Sequence, residues 1–161
     1  MQSMAGADPR LGLVRRVITR PSTAGGEAFD GVDMARFAAM RDAGDFALWW
    51  AAHGLHYGIP AGVDADLAAG HDMLANLSRG VLDAAQVRFP SLVIIALTAK
   101  PDVLASRLAG RGREDAADIA RRLERAGSGI PDSINAVVID NSGALDTTVD
   151  TALSALYPER V

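Results

Sequence analysis

Cysteine is absent from the 161 residues of this chain. The absence excludes disulfide bonds, thiolate catalysis and cysteine-ligated zinc within this sequence. His53 and His56 fall on a predicted hairpin with no carboxylate at ligand spacing, and His71 stands apart from them. We therefore predict no metal site built from histidines.

Lysine is nearly absent, because Lys100 is the only one and the other basic residues are arginines. The formal net charge is −4, so no basic field would attract nucleic acid, and we expect no nucleic-acid partner. Long apolar runs are also missing, since none approaches the roughly 18 residues of a membrane span. No signal-peptide core follows Met1. A cytoplasmic protein without a membrane partner is the resulting expectation.

The apolar residues of this chain follow two kinds of spacing, one typical of strands and one typical of helices. Runs of β-branched residues indicate strands, and apolar spacings of three and four indicate helices. The length and the hydrophobic fraction of 49% suffice for one domain with a core. Strands that alternate with helices predict an α/β fold. The predicted strands are 17–19, 46–52, 55–58, 71–77, 92–98 and 136–140, and the predicted helices are 33–42, 61–69, 80–88, 101–110, 115–125 and a closing helix to about 157.

Two segments carry more specific structural predictions. The run 92–98 is the most apolar in the sequence, so we predict a buried central parallel strand there. Residues 1–13 show neither helical nor strand period, and Pro9 interrupts them. We predict no regular structure in that lead-in.

Arginines flank the first predicted strand and the glycine-rich loop that follows it. Arg15 and Arg16 precede the β-branched run 17–19, Arg20 follows it, and Gly25-Gly26 opens the loop. Guanidinium groups at a strand end supply the fixed charge and forked donors that a phosphate monoester needs. A strand with solvated flanking charges is the alternative at this point.

A second arginine group lies in the C-terminal half. Arg107 and Arg111 are four residues apart, Arg113 follows in a loop, and Arg122 returns from the next predicted helix. Such a lid could wrap the polyphosphate of a nucleotide and stabilise charge on a transferring phosphoryl group. A solvated helix face, in which neighbouring carboxylates pair with these arginines, is the alternative, and the residues alone favour it.

Polar residues also follow two predicted strands. Asn76, Ser78 and Arg79 lie at the end of the strand 71–77, where ligands bind in open parallel sheets. Asn141 follows the strand 136–140. It could contact a nucleobase edge, or it could belong to an ordinary Asx turn and helix cap.

Five motifs occur in the order found in the guanylate-kinase-like P-loop phosphotransferases, which this chain resembles over about residues 10–156. Within that group it is most similar to the ribose 1,5-bisphosphate phosphokinase family. Guanylate kinases read guanine with a glutamate where this chain has Leu48, which favours a sugar phosphate. The motifs are Arg16-Val-Ile-Thr-Arg-Pro21, Gly26-Glu27, Leu55-His-Tyr-Gly58, Arg107-Leu-Ala-Gly-Arg-Gly-Arg-Glu114 and Ile119-Ala-Arg-Arg-Leu123.

The resemblance implies a P-loop-kinase-like parallel sheet flanked by helices. It also implies ATP-dependent, Mg²⁺-assisted phosphorylation of ribose 1,5-bisphosphate to 5-phosphoribosyl 1-diphosphate in phosphonate catabolism. A single domain over 1–161 would contain an acceptor-binding insertion at 22–60 and a lid at 107–125. The implied substrate-binding residues are Arg16, Arg20, Glu27, Tyr57, Asn76, Ser78 and Arg79; those for the nucleotide are Arg107, Arg111, Arg113 and Asn141, with Arg111 and Arg122 catalytic.

One departure from the family is large. The family begins with a central strand and a Gly-x-x-x-x-Gly-Lys loop, and this sequence contains no such loop. We expect weak ATP binding and self-association through unpaired strand edges. The alternative functions are an inactive phosphate- or nucleotide-binding remnant and another small-molecule kinase, such as a guanylate or gluconate kinase.

Overall fold

The computed structural model describes residues 1–110, 130–131 and 133–158. Its compact units are Met1–Leu92 and Val93–Val161. Parallel strand pairs occur in both units together with helices, which confirms the α/β prediction. A single domain over 1–161 stays a prediction. No helix within the described ranges is long and apolar enough to cross a bilayer.

The first unit contains two sheets and four α-helices. One sheet pairs β1 with β6 in parallel, and the other has the order β3-β2-β5-β4. Short 3₁₀ turns span Ser22–Ala24 and Arg79–Val81. The elements are β1 Leu11–Leu13, β2 Arg16–Ile18, β3 Phe29–Gly31, β4 Phe46–Ala52, β5 Leu55–Pro60, β6 Asp72–Leu74, α1 Gln2–Ala7, α2 Met34–Ala43, α3 Val63–Ala68 and α4 Leu82–Arg88.

The four-stranded sheet is mixed, and its register follows from a tight hairpin. β2 pairs in parallel with β3 and antiparallel with β5, while β4 and β5 form the hairpin. The turn residues His53 and Gly54 both have positive φ, 54° and 73°. Positive φ at both central residues is typical of a type I′ turn, whose twist suits a two-residue hairpin. The predicted hairpin is therefore confirmed, and Ala52 lies opposite Leu55.

The hairpin also contains a position that only glycine fits. A Cβ added at Gly58 would overlap the ring carbons of Phe46 on the neighbouring strand. Phe46 in turn packs on Phe37 of α2, with ring centroids 4.8 Å apart. The missing side chain at Gly58 thus lets an aromatic ring cross the sheet surface.

Local capping explains the bounds of α2. The Asp33 carboxylate accepts a hydrogen bond from the Arg36 backbone N–H at 2.7 Å, so it caps the first turn as predicted. Gly44 ends the helix in the left-handed conformation, with φ 80°. The helix buries Phe37 against the sheet.

Residues 1–13 depart from the prediction, because they contain both α1 and β1. β1 has only three residues, and its ladder partner is some sixty residues away, with Leu11 opposite Asp72. Asp8 joins the two elements and is largely buried. The Arg10 guanidinium and backbone N–H both donate to its carboxylate and lower the pKa of that group to about 2.

The second unit pairs β7 Ile94–Thr98 in parallel with β8 Ala136–Asp140. Its described helices are α5 Pro101–Gly110 and α6 Leu145–Leu156. The expectation of a deeply buried strand at 92–98 is wrong for most of that run, since Leu97 is 57% exposed and only Ile94 is buried. Within the described ranges β7 has one strand neighbour, β8, and a central strand needs two.

Candidate functional site

The candidate site is built around a buried arginine of β2 in the first unit. Strand alternation places Arg16 and Ile18 on one face of the sheet. The ladders place Tyr57 opposite Ile18 and Trp50 opposite Tyr57. One face of three adjacent strands therefore presents a cation and two aromatic rings together. We call the set Arg16, Glu27, Trp50, Tyr57, Asn76 and Ser78 the Arg16 cluster.

The Arg16 side chain is only 8% exposed, so its charge needs partners within the protein. One terminal nitrogen, Nη1, donates to the Asn76 carbonyl oxygen at 2.9 Å, and Nη2 donates to the Glu27 carboxylate. The buried Nε has no hydrogen-bond partner among the described residues. The buried, charged guanidinium of Arg16 therefore has one N–H donor that makes no hydrogen bond to the described residues.

Two aromatic rings support this guanidinium. The rings of Trp50 and Tyr57 stack with centroids 5.3 Å apart and planes 11° from parallel. The Arg16 Cζ lies 5.2 Å from the Tyr57 centroid and 5.9 Å from that of Trp50, within cation–π range. The Trp50 indole N–H donates to the Ser78 hydroxyl oxygen at 2.8 Å. The rings therefore restrict where the arginine can move.

Glu27 reaches the cluster from the loop between β2 and β3. Gly25 and Gly26 have φ of 70° and 97°, conformations that favour glycine and turn the loop back towards β2. One Glu27 carboxylate oxygen pairs with Arg16, and the other lies 3.5 Å from the Asn76 side-chain nitrogen. The carboxylate thus neutralises the buried cation and closes the loop over it.

Arg20 is a second arginine at the end of the same strand. Its Nη2 donates to the Gly25 carbonyl oxygen at 3.1 Å, and its Cζ lies 4.3 Å from the Phe29 ring centroid. Its Nε is buried and lacks a hydrogen-bond partner within the described ranges. Arg20 therefore also has an N–H donor beside the loop that makes no hydrogen bond to the described residues.

The structure brings together five of the seven predicted substrate residues in the Arg16 cluster and puts Arg20 at the adjacent loop. Arg79 is exposed at the start of the 3₁₀ turn. Ser78 has a different immediate role from the one expected, because its hydroxyl holds the Trp50 indole. The residues gathered in the cluster are Arg16, Glu27, Tyr57, Asn76 and Ser78.

Trp50 is the cluster member that the sequence-based site predictions omit. The sequence did contain a signal for it. A two-residue turn at His53-Gly54 fixes the hairpin register, and counting back from it places residue 50 opposite Tyr57.

In the second unit, Arg107 contacts the backbone of the turn after β8. Its Nη1 donates to the Asn141 carbonyl oxygen at 2.6 Å, and its Nη2 donates to the Gly143 carbonyl oxygen at 3.4 Å. The Asn141 side-chain oxygen accepts from the Thr148 hydroxyl at 3.0 Å. Arg107 therefore shapes this turn, and direct contact with nucleotide phosphates stays a prediction for it.

The Asx turn after β8 is made by Asp140. The hydroxyl and the backbone N–H of Ser142 donate to Asp140 Oδ1, at 2.5 and 2.9 Å, and lower the pKa of that carboxyl. Lys100 donates its backbone N–H to the Ser142 hydroxyl at 2.8 Å. A chain of hydrogen bonds thus joins the end of β8 to the start of α5.

The predicted lid arginines Arg111, Arg113 and Arg122 lie outside the described residues, so their roles stay predictions. Among the residues that are described, no group of three or more carboxylates and histidines could hold a metal ion. Those residues also form no glycine-rich cradle ending in lysine. Within the described ranges the chain itself therefore supplies neither a three-ligand metal site nor a lysine-ended phosphate loop, whereas the Arg16 cluster places a guanidinium beside a carboxylate and two aromatic rings.

No model of a known protein family matches the chain. Curated relatives do match. The chain is 48% identical to a ribose 1,5-bisphosphate phosphokinase PhnN of Ruegeria sp. (strain TM1040), covering 99% of this chain and 85% of that protein. It is 45% identical to the PhnN of Agrobacterium fabrum (strain C58 / ATCC 33970), covering 92% and 81%. It also matches a bifunctional ribose 1,5-bisphosphokinase-thymidine phosphorylase of Azorhizobium caulinodans at 41% identity, over 96% of this chain and 22% of that protein.

A guanylate kinase from Anaplasma phagocytophilum has a similar structure, with a TM-score of 0.73 over 99% of this chain and 82% of the other. At 16% identity this likeness bears on the fold alone, and it confirms the guanylate-kinase-like prediction. The identities of 45–48% over most of each relative bear on the family. The chain belongs to the ribose 1,5-bisphosphate phosphokinase (PhnN) family of kinases.

Proposed function

We propose that this chain serves in the transfer of the γ-phosphoryl group of ATP to ribose 1,5-bisphosphate, the substrate in the names of its relatives. The bond between the γ-phosphorus and the bridging oxygen of ADP breaks. A new bond forms to an oxygen of the acceptor's 1-phosphate, which gives 5-phosphoribosyl 1-diphosphate and ADP. Mg²⁺ would accompany the nucleotide, and the reaction would belong to phosphonate catabolism in the cytoplasm.

The observation that carries the proposal is the pair of arginines that flank β2, the buried Arg16 at its start and Arg20 just beyond its end, each with an Nε that has no hydrogen-bond partner among the described residues. Two guanidinium groups on one short segment suit an acceptor that carries two phosphate groups. Their backbone and aromatic contacts hold them in place before the ligand arrives. Preorganised donors lose less conformational entropy on binding than free side chains do.

Glu27 supports a sugar phosphate as the acceptor. A carboxylate in an anion site repels phosphate, unless the ligand also carries hydroxyl groups that can donate to it. Ribose supplies such hydroxyl groups. At the base-reading position of guanylate kinases, this chain has the apolar Leu48, which cannot accept a hydrogen bond from a nucleobase.

On the nucleotide side we propose Arg111 and Arg122 as catalytic residues, with Arg107, Arg113 and Asn141 contributing to nucleotide binding. Charge on the transferring phosphoryl group peaks in the transition state, so lid arginines would act mainly on kcat. The turn that Arg107 holds, 141–143, would lie beside the nucleotide.

A second candidate function is binding of the sugar phosphate without turnover. The observation that favours it is the lack of a Gly-x-x-x-x-Gly-Lys sequence in the 161 residues. The test is to incubate the chain with Mg-ATP and ribose 1,5-bisphosphate, and to follow ³¹P resonances. Diphosphate and ADP signals would support the kinase, and calorimetric binding without these signals would support the second candidate. Turnover of GMP or gluconate instead would contradict both.

Self-association is a further proposal about partners. The parallel pair β7 and β8 exposes Leu97 and Val138, at 57% and 66%. Parallel strands with uncovered faces and edges favour pairing with another chain. Sedimentation velocity over a range of protein concentrations tests this, and a concentration-independent monomer would contradict it.

A further inference from the structure

We propose that Trp50 is a positioning residue of the acceptor site, holding the Arg16 guanidinium in place through an indole that Ser78 fixes. The identity of the acceptor in this inference rests on the proposed function. The arrangement of Trp50, Ser78 and Arg16 is independent of it. Nothing in the similarity to relatives assigns a role to this tryptophan.

The Trp50 ring is buried and is held by two contacts. It is 7% exposed, it stacks on Tyr57, and its N–H donates to the Ser78 hydroxyl at 2.8 Å. An indole nitrogen can only donate, so the Ser78 oxygen must accept, and the orientation of the ring is fixed. A ring fixed in this way presents its electron-rich face to Arg16, whose Cζ lies 5.9 Å from the centroid.

The segment that follows β6 connects the ring to the charged group. Asn76 accepts a hydrogen bond from Arg16 through its carbonyl oxygen, and Ser78, two residues later, accepts one from Trp50. The arginine and its aromatic support are therefore attached to the same short segment. If the Trp50–Ser78 bond is lost, the ring and the segment can shift relative to each other, and Arg16 loses a fixed orientation.

A purely structural role is the competing explanation, because Trp50 also packs with Ile59, Val63 and Val81. The two roles predict different results. If Trp50 is only a core residue, its replacement lowers the melting temperature and leaves the ligand affinity of the folded protein unchanged. If Trp50 is a positioning residue, its replacement weakens anion binding at a similar melting temperature. The size of that effect then depends on whether the Ser78 hydroxyl is present.

The experiment measures the dissociation constant of ribose 1,5-bisphosphate by titration calorimetry on the full chain, with melting temperatures recorded for each variant. The variants are Trp50→Phe, Ser78→Ala, the double variant and Ser78→Thr. Trp49→Phe is the matched control, since Trp49 is the neighbouring residue and is 46% exposed.

We expect Trp50→Phe and Ser78→Ala each to raise the dissociation constant about tenfold, through a weakened cation–π contact and a lost hydrogen bond. The double variant should lose no more than either single variant, because both changes remove the same bond. Ser78→Thr keeps the hydroxyl and should bind like the wild-type protein, as should Trp49→Phe.

Wild-type affinity in both Trp50→Phe and Ser78→Ala would overturn the inference, and so would fully additive effects. If the wild-type chain does not bind ribose 1,5-bisphosphate, the proposed acceptor is wrong. The same variants are then titrated with inorganic phosphate. A loss of phosphate affinity in Trp50→Phe and Ser78→Ala would then support the positioning role with a different acceptor. Failure of the wild-type chain to bind phosphate would overturn the inference together with the proposed function.

Discussion

Replacing Glu27 by glutamine would leave the Arg16 guanidinium buried without its counter-charge. The two side chains are 19% and 8% exposed, so water can screen the remaining cation only weakly. Breaking one side of a buried ion pair costs about 3–5 kcal/mol. The glutamine oxygen can still accept a hydrogen bond from Arg16, so we expect the free energy of unfolding to fall by about 3 kcal/mol, the lower end of that range.

A second ion pair on the same sheet provides the matched control. Arg15 pairs with Asp30 at 2.5 Å, and these side chains are 61% and 52% exposed. Exposed pairs contribute about 0–1 kcal/mol, so Asp30→Asn should change the free energy of unfolding by no more than that. Urea denaturation at pH 7 compares the two variants with the wild-type protein.

Added phosphate provides a second measurement on the same variants. In Glu27→Gln the phosphate dianion would take over the charge compensation of Arg16, so phosphate should raise the melting temperature more than it does in the wild-type chain. Equal destabilisation by Glu27→Gln and Asp30→Asn would refute the reasoning. Equal phosphate responses in Glu27→Gln and the wild-type chain would refute it as well.

Three further predictions concern separate parts of the first unit. Arg20→Ala should weaken binding of the sugar phosphate by about 1.5–3 kcal/mol, the value of a charged hydrogen bond; calorimetry with Arg15→Ala as control checks it, and equal affinities would exclude Arg20. The pKa of Asp8 is lowered from 3.8 to about 2, so its stabilisation is present above pH 4 and lost as the pH falls towards 2. Asp8→Asn should therefore melt below the wild-type protein at pH 7, and a gap that persists at pH 2 would contradict this. Gly58→Ala should cost about 1–3 kcal/mol by overpacking, whereas Gly80→Ala, which meets open space, should cost much less in the same denaturation assay.

Features fixed by local chemistry could be predicted from the sequence. The N-cap carboxylate of Asp33 and the apolar spacing after it predicted α2, and the structure places that helix at Met34–Ala43. The His53-Gly54 turn predicted the hairpin of β4 and β5 for the same reason, since turn chemistry acts over a few residues.

Features that depend on distant partners could not be predicted. β1 has three residues and becomes a strand through its ladder to β6. The exposure of β7 likewise depends on how many strands flank it, which its own apolar sequence does not encode. The role of Ser78 required the position of Trp50, twenty-eight residues earlier.

The most direct test of acceptor recognition by the Arg16 cluster is a calorimetric titration of ribose 1,5-bisphosphate into three proteins. These are the wild-type chain, Arg16→Lys and Arg15→Lys, which make the same substitution at a buried and an exposed position of one segment. Lysine keeps the charge but not the planar fork of donors. We expect Arg16→Lys to bind at least about tenfold more weakly and Arg15→Lys to bind like the wild-type protein. Equal affinities of Arg16→Lys and the wild-type chain would contradict the assignment.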